Sequence, residues 1–130
     1  MKKSKLIRKI DKRFLLGIAH RGLHDEVSTE NGLDAFKKAI EKNTAFELDV
    51  HLSKDGKLIV CHDDNLVRTT SKEGIIEELT LKEIKENYRL LDGEEVPTLQ
   101  EVLSLNDERV PLVIELKTYK NNNKALAKAL

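Results

Sequence analysis

The sequence predicts an α/β fold built on a parallel sheet, and three observations carry that expectation. Four short apolar runs recur along the chain: "FLLGIAH" (14–20), "AFELDV" (45–50), "KLIVCHD" (57–63) and "PLVIELK" (111–117). The first, third and fourth are almost continuously apolar, as strands covered on both faces must be. Amphipathic helical patterns lie between the runs, and each run ends in a titratable residue. Buried strands of open or barrel α/β folds build their sites at those ends. A length of 130 residues fits one domain spanning 1–130.

Taken in order, the first strand is followed by "NGLDAFKKAIEKN", where Leu33, Phe36, Ala39 and Ile40 fall on one helical face and Asn43 gives a stop. The second and third strands are joined by "HLSKDGK", shorter than the dozen or so residues of a parallel crossover. That link is either a βα unit without its helix or the turn of an antiparallel pair. Residues 64–95 form a polar excursion with a turn signal at "LDGEEVP". Within it, "TLKEIKENY" pairs Thr80 with Glu83 as a capping box and sets Leu81, Ile84 and Tyr88 on one face. "PTLQEVLSL" repeats the device with Thr98 and Glu101, and turns Leu99, Val102 and Leu103 inward. After the fourth strand, "NNNKALAKAL" opens a further helix.

Composition removes several classes of function. Twenty-three Lys+Arg balance 23 Asp+Glu, so no global field holds nucleic acid or an anionic membrane. With no Trp, two Tyr and three Phe there is no stacking platform for single strands either. No stretch reaches the roughly 20 apolar residues of a membrane span. The basic start "MKKSKLIRKIDKRFLLGIAHRG" has an apolar part too short for a cleaved leader. A single cysteine, Cys61, forms no internal disulfide and suits a reducing, cytoplasmic setting; it is expected to pack under a helix.

The strand ends carry the chemistry. Glu47 and Asp49 lie two apart on one strand face, and Glu115 and Lys117 repeat the spacing on the fourth strand. Three carboxylates gathered from two strands call for a cation, and all-oxygen ligands favour Mg²⁺ or Ca²⁺. The competing reading leaves Glu47 and Asp49 on the solvated face of an edge strand. His20 and His62 can share general acid and general base roles. Arg21 and Lys117 supply fixed positive charge for a tetrahedral oxyanion. Together these are the parts for cleaving a phosphate ester. His24 and His51 read as exposed or supporting groups. "HDD" (62–64) also fits a histidine–aspartate metal phosphohydrolase, but that chemistry sits on helices and "KLIVCHD" has strand character.

"HRG" (20–22), "EN" (30–31), "ELDVHLSKDGKLIVCHDDNLVRTT" (47–70), "VPTLQEVL" (96–103) and "IELK" (114–117) resemble the glycerophosphodiester phosphodiesterases. The resemblance implies the first half of a (β/α)₈ barrel of TIM type, about four strands, with an insertion at 64–95 after the third strand. It implies that the second and third strands run parallel across their short link. It assigns His20 and His62 as the acid–base pair, Glu47, Asp49 and Glu115 as ligands of one divalent metal, and Arg21 and Lys117 as the phosphate-holding groups. The implied reaction hydrolyses a small-molecule glycerophosphodiester to glycerol 3-phosphate and an alcohol. Thr29 stands where the family's "PEN"-like element has proline.

A complete barrel of this type takes about 250 residues. The expectation is therefore a fragment of a longer enzyme or a half-barrel that pairs with another copy through its bare strand edges. The rival function is a binding or assembly module that keeps a phosphate or metal site without turnover.

Overall fold

The computed structural model describes residues 11–130; the first ten residues of the basic opening segment lie outside them. A mixed sheet of four strands forms the frame, with β2 (Phe46–Leu52) at its centre. β1 (Ala19–His20) and β4 (Leu112–Leu116) pair with β2 in parallel, Ala19 opposite Phe46 and Leu112 opposite Phe46 on the other edge. β3 (Leu58–Val60) runs antiparallel, Val50 opposite Val60 and Leu52 opposite Leu58. Since β4 occupies one edge of β2 through Val50, β1 and β3 share the other.

The parallel pairing that the resemblance implies for the second and third strands is thus corrected. Residues 53–57 form a tight hairpin turn closed by Ser53 N–H donating to the Lys57 carbonyl at 2.8 Å. Gly56 takes φ +82° there, a left-handed conformation in which a side chain is disfavoured. Five residues reverse a chain easily but cannot cross a sheet.

Alternate residues of β2 build the core. Phe46, Leu48 and Val50 are fully buried against Phe36, Ala39 and Ile40 of α1 (Leu33–Glu41) and against Leu99 and Val102 of α4 (Leu99–Asn106). The Phe36 and Phe46 rings stack at 4.7 Å. Each such side chain contributes about 1.5–3 kcal/mol through its burial. The segment between β3 and α4 carries α2 (Val67–Thr70), a 3₁₀ turn (Ile76–Glu78) and α3 (Leu81–Asn87). It closes a second core of Ile59, Cys61, Leu66, Ile76, Ile84, Tyr88, Leu90 and Val96. Cys61 is buried there as expected, and burial pushes its thiol up to about 12.

Both capping boxes form, Thr80 with Glu83 and Thr98 with Glu101. α5 (Asn123–Ala129) follows β4 and buries Leu126.

Two expectations need correction. The run at 14–20 is not one strand: Lys12–Leu16 is a 3₁₀ turn capped by the Asp11 side chain, and Leu15 and Leu16 are exposed. Arg13 anchors that turn by donating to Asp11, to Asn43 and to the Arg109 carbonyl. Leu103 is also exposed; Leu99, Val102 and Asn106 fill the inner face of α4, and Leu103 lies at its margin. No helix of the described residues is long and apolar enough to cross a membrane.

Candidate active site

The antiparallel course of β3 brings His20 and His62 to the same edge of β2. β1 runs along the shared edge of β2 and ends with His20 opposite Glu47. β3 descends the same edge from the other end, and Cys61 N–H donates to the Asp49 carbonyl at 3.0 Å. The two segments therefore end facing each other, one delivering His20 and the other His62, about two residues apart along β2. A parallel β3 would have carried His62 away from Asp49.

Behind His20 the chain turns sharply. Arg21 has φ +59° and Gly22 φ +82°. A Cβ on Gly22 would stand 2.9 Å from the Ala35 carbonyl carbon, so α1 packs against bare backbone there. The turn aims the Arg21 N–H at Glu47 Oε1, 3.2 Å away, and swings the guanidinium back over the cluster. Its Nη1 donates to Glu30 at 3.1 Å and its Nε lies 3.7 Å from Asp49 Oδ2. Asn31, also at positive φ, donates from Nδ2 to Asp49 Oδ2 at 3.1 Å. Strained backbone of this kind clusters where surrounding structure holds functional groups in place.

Glu47, Asp49 and Glu115 converge, with one oxygen from each within 4.8 Å of the others. The register Asp49 opposite Glu115 in parallel neighbours explains the approach. Asp49 is fully buried, and its Oδ1 has no partner. Burial pushes the Glu47 carboxyl up to about 7, and the adjoining Asp49 adds to the rise. Burial is the largest single influence on Asp49 and opposes its charge, but hydrogen bonding with Asn31, Glu47 and Glu115 together outweighs it and holds the pKa below the usual carboxylate value. A buried oxygen without a partner beside a carboxyl that resists ionising is the signature of a missing positive charge. The donor set is all oxygen, which suits a hard divalent cation. The solvated-face alternative for Glu47 and Asp49 does not hold.

The remaining residues join the same cluster. His20 Nε2 lies 4.0 Å from Glu47 Oε1, with its side chain 65% exposed. Lys117 Nζ donates to Glu115 at 3.1 Å. His62 Nδ1 is 2.8 Å from Asp63 Oδ1, and since an ionised carboxylate only accepts, that nitrogen carries the proton. The hydrogen bond from Arg68 holds the Asp63 pKa down at about 2, so it is ionised throughout the ordinary range. Arg68 grips Glu30 as well, at 2.7 and 2.9 Å, and Glu30 meets Arg21. All seven residues named from the sequence thus belong to one connected group.

Sequence reasoning gave no role to Arg68, Asp63 or Asn31. Arg68 reaches back 38 residues to Glu30 from a polar segment without periodicity, and the only signal was its place in the quoted block ending "RTT". Thr29 is explained: its N–H donates to Asp92 at 3.0 Å and its hydroxyl accepts from Asp92 N–H, so this turn uses a donor that proline lacks. His24 is exposed, whereas His51 is buried and close behind the site.

The carboxylate cluster lies apart from a broad groove elsewhere on the molecule. A groove of about 840 Å³ runs past Leu58, Leu99, Leu103 and Leu130, none of them reactive. His20 and Glu47 line a smaller recess of about 210 Å³ with Ile18 and Val113.

Comparison with known proteins identifies the family. The chain is 44% identical over 111 residues to a glycerophosphodiester phosphodiesterase of Caldanaerobacter subterraneus, covering 79% of this chain and 45% of that protein. A glycerophosphodiester phosphodiesterase of Bacillus subtilis is 35% identical, over 80% of this chain and 40% of its own length. The fold matches an Oleispira antarctica phosphodiesterase solved with the product sn-glycerol-3-phosphate, at a TM-score of 0.78 and 31% identity, covering 86% of this chain and 48% of that one. It also matches the Thermotoga maritima glycerophosphodiester phosphodiesterase, at a TM-score of 0.70 and 39% identity, over 86% and 46%. The chain spans a little under half the length of these relatives, and its fold is the corresponding part of a (β/α)₈ barrel. With the match to the glycerophosphoryl diester phosphodiesterase family running over residues 20–129, through both histidines and all three clustered carboxylates, the chain belongs to that family.

Proposed function

We propose that this site hydrolyses glycerophosphodiesters to glycerol 3-phosphate and an alcohol. The observation that carries the reading is a three-carboxylate cluster with fully buried Asp49 at its centre, on an edge of β2 where two segments running toward each other end in His20 and His62. Product bound to the Oleispira enzyme supports the substrate class.

Glu47, Asp49 and Glu115 would hold a divalent cation, Mg²⁺ or Ca²⁺, which when bound offsets charge on the phosphate oxygens. Arg21 and Lys117 flank that cluster and bring two further positive groups to the phosphate. Asp63 fixes the His62 proton on Nδ1, leaving Nε2 with a lone pair; His62 is thereby the general base, taking the proton of the oxygen that attacks phosphorus. His20, with Nε2 4.0 Å from Glu47 Oε1 and its side chain open to the mouth of the site, is the general acid that protonates the departing alkoxide as its P–O bond breaks.

The test is release of choline from glycerophosphocholine by the purified chain, with and without Mg²⁺ or Ca²⁺, beside His20→Ala and His62→Ala. Loss of either histidine is expected to lower turnover by about 10²–10⁴-fold. Metal-independent turnover untouched by His20→Ala would overturn the assignment. A second reading, substrate or product binding without turnover, draws on the openness of the site: the His20 and Glu115 side chains are 65% and 52% exposed, so water is not excluded. Glycerol 3-phosphate binding without hydrolysis, abolished by Glu115→Gln, would favour it.

A further inference from the structure

Behind the carboxylate cluster lies a second group of ligating side chains of different chemistry. His51 closes the polar face of β2, and its side chain is 1% exposed. Its Nε2 lies 3.0 Å from the His62 carbonyl, to which it donates. That bond turns Nδ1 toward Glu77 Oε2 at 2.7 Å and Asp64 Oδ1 at 3.6 Å. One atom from each of the three residues lies within 4.8 Å of the others. They come from separate places: the end of β2, the turn after β3 and the 3₁₀ turn Ile76–Glu78.

Two further observations distinguish this group from an ordinary ion pair. The Glu77 side chain is only 7% exposed, yet its Oε1 has no hydrogen-bond partner. Among the described residues, no lysine or arginine nitrogen forms an ion pair with either Glu77 or Asp64. Two carboxylates therefore share one imidazole, leaving a net negative charge in a largely enclosed place. Imidazoles that ligate metals characteristically donate their other ring N–H to a carbonyl, as His51 does to His62. Asp64, with its side chain 52% exposed, provides the way in from solvent.

We propose that His51, Asp64 and Glu77 form a second cation site, selective for a borderline transition metal such as Zn²⁺ rather than for Mg²⁺ or Ca²⁺. One imidazole nitrogen and two carboxylate oxygens, open to solvent on the half-exposed Asp64 side, make a mixed nitrogen–oxygen set, and the imidazole tilts it toward Zn²⁺ and away from Mg²⁺ or Ca²⁺. The metal takes the place of the proton on Nδ1, which passes to solvent, and the local charge then closes to zero. Such a metal clamps the segment between β3 and α4 onto the end of β2, directly behind the His62 backbone.

Co²⁺ serves as the probe, because its visible absorption and paramagnetic shifts report on imidazole ligation. Titration of the folded chain in the presence of excess Mg²⁺ is expected to give one equivalent of Co²⁺ with visible bands and a hyperfine-shifted exchangeable proton from His51 Nε2–H. Zn²⁺ is expected to displace it and Mg²⁺ not to. Asp64→Asn, at an exposed position, should weaken Co²⁺ binding at least tenfold, while Glu115→Gln in the other cluster should leave it unchanged. The proposal falls if Co²⁺ gives no shifted imidazole proton, or if Mg²⁺ displaces it and Glu115→Gln abolishes it while Asp64→Asn does not. Neither readout depends on turnover, so failure here leaves the hydrolytic reading standing, and failure of that reading leaves this one.

Discussion

The two faces of β2 divide the labour of the protein within seven residues. Phe46, Leu48 and Val50 point one way into a dry core, while Glu47, Asp49 and His51 point the other way into a polar cluster. Both faces are well buried, apart from partial exposure at Glu47, yet their energetics are opposite. The apolar face gains from leaving water. The polar face is desolvated at a cost, expressed in the raised Glu47 pKa and the orphaned Asp49 oxygen. A strand can carry a destabilising row because the alternate row over-stabilises it.

The sharpest way to break this contrast is Phe46→Ala. It removes a ring stacked on Phe36 and should lower stability by about 3–5 kcal/mol in chemical denaturation, equally with and without divalent cation. On the other face, saturating Mg²⁺ or Ca²⁺ at about 100 times its Kd should raise stability by about 2.7 kcal/mol. Glu115→Gln, at an exposed position, should erase that gain while changing metal-free stability by less than about 0.5 kcal/mol. If Phe46→Ala abolished the cation response instead of shifting the baseline, the faces would not be separable.

The pH dependence of the metal-free protein sharpens the same comparison. Glu47 has its folded pKa raised to about 7 from an ordinary 4.5, so its contribution is fully present below pH 4.5 and is lost as pH rises through 7. For His51, burial depresses the imidazolium, but the bonds to Glu77 and the His62 carbonyl outweigh it and the pKa ends above 6.5. Its contribution is likewise present below 6.5 and lost as pH rises past the folded value. The melting temperature in chelator should therefore fall between pH 4.5 and about 7, and divalent cation should flatten the slope. A melting temperature that rises over this window would contradict the assigned strain. The smallest effect belongs to neither face: Thr98→Ala, which removes the cap of α4, should lower stability by about 1 kcal/mol and leave cation binding untouched.

The apolar face of β2 was legible because burial imposes a period that letters reveal, and so was the row of titratable residues at strand ends. Both capping boxes could be read because they are local, spanning three residues. What could not be read depends on contacts remote in the chain. Arg68 has meaning only through Glu30 and Asp63, and Glu77 only through His51, 26 residues earlier. β3 runs opposite to the direction the resemblance implies because a link of five residues reverses a chain easily but cannot carry it across a sheet. Leu15 and Leu16 misled in the opposite way: an apolar run looks like a strand until a capping Asp11 and a tethered Arg13 hold it as a 3₁₀ turn.

The turn at 53–57 is polar, exposed at its tip and distant from the reacting groups, the kind of place an engineer would choose for splicing in a peptide tag. Yet it sets the register at which β3 enters the sheet. One added residue there would slide the descending segment by one step, and in a sheet one step exchanges inside for outside. Cys61 would then turn to the face that now carries His62 and His62 to the face packed on the second core, so a single-codon insertion in this short turn would exchange the polar and apolar rows of β3.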